Sequence, residues 1–332
     1  MWHSWRGEQG VTPSRSDALG LAPTSSTEAE GTRCGIVMRV AGPFFDVLTP
    51  DGIVWRAVVR GALKKQRLRT DPVAPGDRVD IRPVGPGEAV IERVHERVRT
   101  LSRLARGTDD MEQVILANPD QVAIIFAVKE PEPHFRMLDR FLVIVEDREL
   151  PAFIVANKID LDPTGELRAP FRMYEQIGYP VLYISARTGE GLDQLRTYLH
   201  GRITVLTGPS GVGKTSLLNA LKPGLGEATR EVSRATGKGR HTTSATRLFP
   251  LDDGFLADSP GLRTLSFWNV DLENLDYLFR EFRPYLGACR YNDCAHCEEP
   301  GCAVRAAVER GEIPAPRYES YLRLREEEES ED

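Results

Sequence analysis

The stretch Ile154–Asp160, IVANKID, ends an apolar run of buried-strand length with an Asn-Lys-x-Asp tetrad. A carboxylate at Asp160 can accept two hydrogen bonds from an edge that offers two adjacent N–H donors. Guanine presents such an edge through N1 and N2, and adenine does not. Asn157 and the stem of Lys158 are expected to flank the base. The next apolar run, PVLYISA, ends in Ser185-Ala186, whose backbone is expected to meet the guanine O6. A site built for these bonds rejects the wrong base because its polar groups would be left unpaired.

The phosphate cradle that should accompany such a base reader comes later in the chain. GPSGVGKT, Gly208–Thr215, matches G-x-x-x-x-G-K-[ST], with the strand-like RITVLT before it and the helical TSLLNAL after it. Its glycines allow backbone N–H groups to close around phosphates, and the helix N-terminus adds donors and a dipole. The candidate phosphate-binding residues are Gly208, Ser210, Gly211, Val212, Gly213, Lys214, Thr215 and Ser216. Lys214 would reach the β- and γ-phosphate oxygens and the Thr215 hydroxyl would ligate Mg²⁺. Downstream, ADSPG supplies D-x-x-G at the end of another strand. Asp258 would hold Mg²⁺ through water, and the Gly261 N–H would meet the γ-phosphate.

These parts occur in the order base, base, phosphate, switch, magnesium. A doubly wound sheet assembles its site from loops at the carboxyl ends of its strands, and chain termini tend to lie close together. Joining the old ends and opening new ones preserves such a site, so the order describes a circularly permuted GTPase domain. From Asn118 onward, buried-strand runs (QVAIIFAV, PAFIVAN, PVLYISA, RITVLTG, GFLADSPG), the first of them separated by helical patterns such as HFRMLDRFLVIVEDREL, predict the required parallel α/β sheet. The basic segment Thr229–Thr246 suits a switch, in which Thr242 or Thr243 would close over Mg²⁺; the sequence does not choose between them. After DSPG the position of a water-orienting Gln holds Leu262. His241 in GRHTT is the candidate catalytic residue to position the attacking water, and Lys214, through the phosphate oxygens, is the other candidate catalytic residue.

Before this domain, GIVMRV, FFDVLT, IVWRAVV, DRVDIRPV and EAVIERV are short β-rich runs separated by TPDG, APGD and GPGE, which predicts an OB-type β-barrel. The chain of 332 residues carries a net charge of -6, yet Cys34–Gly107 holds 14 Lys/Arg against 8 Asp/Glu. Lys64, Lys65, Arg67 and Arg69 cluster in one loop of this basic module, which reads equally as a solvated loop or as a binding face. The opening residues are rich in Ser, Thr, Gly and Pro without a periodic apolar face, as in a disordered extension. No apolar run reaches the roughly 18 residues that span a bilayer and no secretory h-region opens the chain, so a cytoplasmic location is expected.

Four of the 5 cysteines fall between Cys289 and Cys302. In CRYNDCAHCEEPGC, Cys289, Cys294, His296, Cys297 and Cys302 compete for the four places of a structural zinc, and the spacing alone does not exclude one. Helical patterns lie on both sides: ENLDYLFREFRPYL before, AVRAAVERG and RYESYLRLREEEE after.

Together the barrel, the permuted motifs, GRHTT, DSPG and C-x4-C-x-H-x5-C resemble the ribosome small-subunit-dependent GTPase A family. The resemblance implies a division into residues 1–33 (extension), 34–100 (OB-fold barrel, RNA-binding), 101–270 (GTPase domain) and 271–332 (zinc-binding helical domain). It implies a GTP hydrolase with GTP/GDP, Mg²⁺ and one structural Zn²⁺ per chain, held by Cys289, Cys294, His296 and Cys302 with Cys297 spare. It also implies a monomer that binds the small ribosomal subunit and its rRNA late in maturation and leaves after subunit-stimulated hydrolysis. Two other functions fit parts of the sequence. An RNA-binding adaptor would use nucleotide only as a structural ligand, and a P-loop nucleotide kinase would give NKID and SA no role.

Overall fold

The computed structural model describes residues 31–60, 71–104, 112–226, 246–258 and 274–329. Five strands, β1 (Arg33–Ala41), β2 (Phe44–Leu48), β3 (Val54–Val59), β4 (Arg78–Gly85) and β5 (Glu88–Val94), pair in the order β1-β2-β3-β5-β4, and β4 returns to β1. The result is a closed barrel, antiparallel except where β3 meets β5. Closure removes the free edges that a small sheet would otherwise expose. Alternation sets the faces: β4 buries Val79 and Ile81 with Val37, Val47 and Ile91, and turns Arg78, Asp80 and Arg82 outward.

β1 is buried on both faces. Val37 belongs to the barrel core, whereas Ile36 and Met38 pack into the core of the second domain. Beyond them, Arg39 pairs with Arg247, so one hydrogen-bonded ladder runs from barrel to second sheet. A ribbon of β6 (Thr100–Leu104) and β7 (Glu112–Ala117) braces the same seam. It buries Leu101 and Leu116, and the Ala117 N–H donates to the Pro75 carbonyl at 2.8 Å.

The second sheet follows the predicted alternation. β8 (Gln121–Ala127), α1 (Phe135–Asp147), β9 (Ala152–Asn157), α2 (Ala169–Gln176), β10 (Val181–Ile184), α3 (Leu192–Leu199), β11 (Ile203–Thr207), α4 (Lys214–Leu221), β12 (Arg247–Leu251) and β13 (Gly254–Asp258) give the spatial order β10-β9-β8-β11-β13-β12. β12 runs antiparallel and the others are parallel, so the carboxyl ends of β8, β9, β10, β11 and β13 share one edge. Helices cover both faces, which is why β8 and β9 are buried at every position.

The C-terminal part holds α5 (Leu275–Leu278), α6 (Ala303–Glu309) and α7 (Ala315–Glu329). ENLDYLFREFRPYL is not one helix. Its backbone turns extended at Phe279 (φ -92, ψ 102), and Pro284 sits in a separate 3₁₀ turn, Arg283–Tyr285. Proline in a helix interior would remove a hydrogen bond and clash with the preceding turn. The break lets Phe279 and Phe282 both enter a core shared with Val143 and Ile144 of α1. Fully buried Arg317 fastens the contact, pairing with Asp139 of α1 at 2.7 Å and with Glu281 at 2.6 Å. Among the described residues no helix is long and apolar enough to cross a membrane.

Candidate nucleotide site and metal cluster

The loop Gly208–Gly213 joins central strand β11 to α4 at the carboxyl edge of the sheet. Two glycines in it are required by space as well as by conformation. Gly208 has φ +138, and a Cβ there would lie 2.1 Å from the Ile125 carbonyl oxygen. Gly213 has φ +93, and its Cβ would meet Asn157 Nδ2 at 2.5 Å. Val212 is buried, while Ser210 and Gly211 form the exposed outer arc. Lys214 Nζ turns back over the loop to the carbonyls of Gly208, at 2.6 Å, and Pro209. α4 starts without a side-chain cap, leaving its first turn, Lys214, Thr215 and Ser216, to present donors and dipole outward.

Asn157 closes β9 and is 1% exposed. Its Nδ2 donates to the Val212 carbonyl at 2.9 Å, and its Oδ1 accepts from the Ala186 N–H at 3.2 Å. One side chain thus ties the NKID segment to both the phosphate-type loop and the Ser185-Ala186 loop. Lys158, held left-handed at φ 64, sends Nζ to the Gly211 carbonyl at 2.8 Å and to the Glu130 carbonyl. Its stem therefore crosses from one loop to the other. Asp160 Oδ1 accepts from the Ser185 hydroxyl at 2.7 Å, and that hydroxyl accepts from the Thr188 N–H at 3.1 Å. Arg187 Nη1 stands 3.8 Å from Asp160 Oδ2 on the solvent side. The carboxylate is thus held at Oδ1 by the Ser185 hydroxyl and faces the exposed Arg187 guanidinium through Oδ2.

The backbone of Asp258 ends β13, in register with Arg247 and beside the strand that feeds the glycine loop. Its side chain, the Gly261 N–H, His241, Thr242, Thr243 and the basic loop Lys64, Lys65, Arg67 and Arg69 lie outside the described residues.

In the C-terminal part, donor atoms of Cys289, Cys294, His296 and Cys302 all lie within 4.8 Å of one another. His296 Nδ1 is 3.5 Å from Cys289 Sγ and 3.4 Å from Cys302 Sγ. Its Nε2 faces Asp276 Oδ2 at 3.3 Å. The contact with His296 holds the Asp276 carboxyl below the usual carboxylate range, against the opposing effect of burial. Backbone N–H groups of Ala303 and Arg305 point to the Cys289 and Cys302 sulfurs at 3.3 and 3.4 Å. Three sulfurs, one imidazole nitrogen, amide donors to sulfur and a carboxylate behind the imidazole are the donor set of a structural zinc. Cys297 is turned out of this set, its thiol donating to the Ala295 carbonyl at 3.4 Å. The left-handed backbone of His296, φ 59, separates the two neighbours.

Known proteins place this architecture. The profile of the RsgA GTPase family matches residues 94–268. "Small ribosomal subunit biogenesis GTPase RsgA" of Gemmatimonas aurantiaca is 47% identical over 296 residues, which cover 88% of this chain and 96% of the relative. The chain belongs to the RsgA GTPase family. The protein of the same name from Moorella thermoacetica is 45% identical over 87% of this chain and 94% of its own length. Among solved structures, YjeQ from Thermotoga maritima superposes with a TM-score of 0.72 at 35% identity, covering 88% of this chain and 97% of that one. YloQ, described as a circularly permuted GTPase, gives 0.72 at 26% identity over 92% and 99%. The permuted order read from the motifs is thus the order of the RsgA GTPase fold.

Within that fold, several contacts at these sites carry no sequence signal. The carbonyls of Val212 and Glu130 are backbone groups, visible only once the loops meet. Asp276 lies 20 residues before His296, and Tyr318 and Tyr321 of α7 hold the carbonyls of His296 and Ala295, each at 2.7 Å.

Proposed function

We propose that this protein is a GTP hydrolase acting in late maturation of the small ribosomal subunit, bound to it in the GTP form and released after hydrolysis that the subunit stimulates. The observation that carries the reading is the buried Asn157 side chain, hydrogen-bonded to Val212 of one loop and Ala186 of another. It holds the base-reading and phosphate-holding segments in one frame, so guanine recognition and phosphate grip act on one ligand. The names of the RsgA relatives from Gemmatimonas and Moorella support the ribosomal assignment.

In this reading Asp160 accepts from the guanine N1 and N2 donors, Lys158 lies along the base, and the Ser185-Ala186 backbone meets O6. Gly208 to Ser216 donate backbone N–H groups to the phosphates, and the Lys214 ammonium neutralises the β- and γ-oxygens. Thr215, Asp258 and one of Thr242 and Thr243 would hold Mg²⁺, which would screen phosphate charge, and the Gly261 N–H would donate to the γ-phosphate. His241 orients the attacking water. Leu262 cannot do so, and this reading therefore predicts a slow intrinsic rate that ordering by ribosomal RNA would raise by up to about 10³- to 10⁵-fold. Zn²⁺ on Cys289, Cys294, His296 and Cys302 would fix the C-terminal fold. The protein works as a cytoplasmic monomer, with barrel and C-terminal part as RNA-facing modules. Substituting Lys214→Ala tests the assignment: function should be lost with rRNA binding intact. A fully functional variant would favour a binding module over an enzyme.

A further inference from the structure

The barrel carries a second group of soft and hard ligands, far in sequence from the C-terminal cysteines. Cys34 of β1 and Asp80 of β4 are direct cross-strand partners on the seam that closes the barrel. His95 follows β5, and its N–H donates to the Arg78 carbonyl at 2.9 Å, extending the β4–β5 ladder by one step. Three strand ends therefore deliver one side chain each to the same outer spot. His95 Nε2 stands 2.9 Å from Asp80 Oδ1, and one donor atom from each of the three residues lies within 4.8 Å of the other two. All three are half-buried.

We infer that Cys34, Asp80 and His95 form a second transition-metal site, selective for Zn²⁺ over Mg²⁺ and weaker than the Cys3His cluster. A thiolate, a carboxylate and a neutral imidazole cancel the charge of a divalent ion and match the mixed donor preference of zinc, whereas Mg²⁺ demands oxygen. Metal–donor lengths of about 2.0–2.3 Å place tetrahedral neighbours roughly 3.3–3.6 Å apart. The Asp80–His95 contact opens by a few tenths of an ångström and the Cys34 sulfur closes by rotation of its side chain. Binding releases the thiol proton to solvent, and water completes the fourth position. Three protein ligands in place of four set the lower affinity. Because Cys34 and Asp80 sit on opposite sides of the closing seam, the ion clips the barrel shut, and barrel stability becomes zinc-dependent.

The test uses the full chain with its C-terminal cluster loaded, equilibrated with micromolar free Zn²⁺ or Co²⁺ in millimolar Mg²⁺, and metal counted per chain. The wild type should take up a second equivalent, and Cys34→Ser and His95→Gln should each reduce the count to one while GDP affinity stays unchanged. With Co²⁺, the second equivalent should add thiolate charge-transfer absorption about a third as intense as the first, one thiolate against three. His95→Gln, at a partly exposed position, decides the matter if Cys34→Ser does not fold. A wild type that stops at one equivalent overturns the site. So does a second equivalent that persists in His95→Gln or lacks the thiolate absorption.

Discussion

Replacing Asn157 by alanine removes both bonds that bind three loops into one pocket. The side chain is 1% exposed, so the buried Val212 carbonyl loses a partner that water cannot readily replace, and the half-buried Ala186 N–H loses one that water replaces in part. Each unsatisfied buried group costs about 1–3 kcal/mol, which gives roughly 2–4 kcal/mol after partial relaxation. Part of this lowers the melting temperature. The rest appears as the cost of reordering the loops on binding, and if all of it did, affinity would fall by about 30- to 1,000-fold, at 1.4 kcal/mol per tenfold. Asn157→Asp should be worse than Asn157→Ala, because it sets a buried carboxylate against the Val212 carbonyl and keeps only the bond to Ala186. Titration with a fluorescent GDP analogue, with thermal unfolding in parallel, reads both parts. An alanine variant within threefold of wild-type affinity and with an unchanged melting temperature would refute the role of Asn157 as the common tie, and so would an aspartate variant that binds better than the alanine one.

Substituting Arg317→Ala strands the buried carboxylates of Asp139 and Glu281, and loss of one partner of a buried pair costs about 3–5 kcal/mol, readable as a lower denaturant midpoint. Arg317→Lys should restore only part of it, since a single ammonium cannot span both acids. Cys294→Ala should lose the bound zinc in elemental analysis, whereas Cys297→Ser, whose thiol donates to the Ala295 carbonyl and lies outside the Cys289, Cys294, His296 and Cys302 group, should keep it. Retention of metal by Cys294→Ala would break that ligand assignment. His241→Ala should abolish subunit-stimulated turnover while GTP affinity is retained; unchanged turnover removes His241 from the mechanism.

The barrel was legible because β3, β4 and β5 alternate and each turn carries its own Gly, Pro or Asp, all local signals, whereas β1, buried on both faces, reads only as a short apolar run. The permuted sheet was legible because strand, motif and helix follow one another within a few residues at NKID and GPSGVGKT. The ribbon β6–β7 escaped because one strand pair has no periodicity long enough to count, and its partners Pro75 and Gly76 come from a barrel loop. Arg317 reads as a surface charge in RYESYLRLREEEE until Asp139, on a distant helix, arrives beside it. The break at Phe279 escaped for a related reason: a helical pattern runs through it, and packing of two aromatic side chains against α1 overrides the propensity. At the site, the base-reading tetrad was legible as residue types, while the grip of Asn157 on two other loops needed the fold.

The function turns most directly on phosphate release from GTP with and without purified small ribosomal subunits, with ATP as competitor. Slow release alone, strong stimulation by the subunits and no competition from ATP are the expected results. Equal rates with and without subunits, or ATP displacing GTP at comparable concentration, would contradict a guanine-specific, subunit-stimulated enzyme.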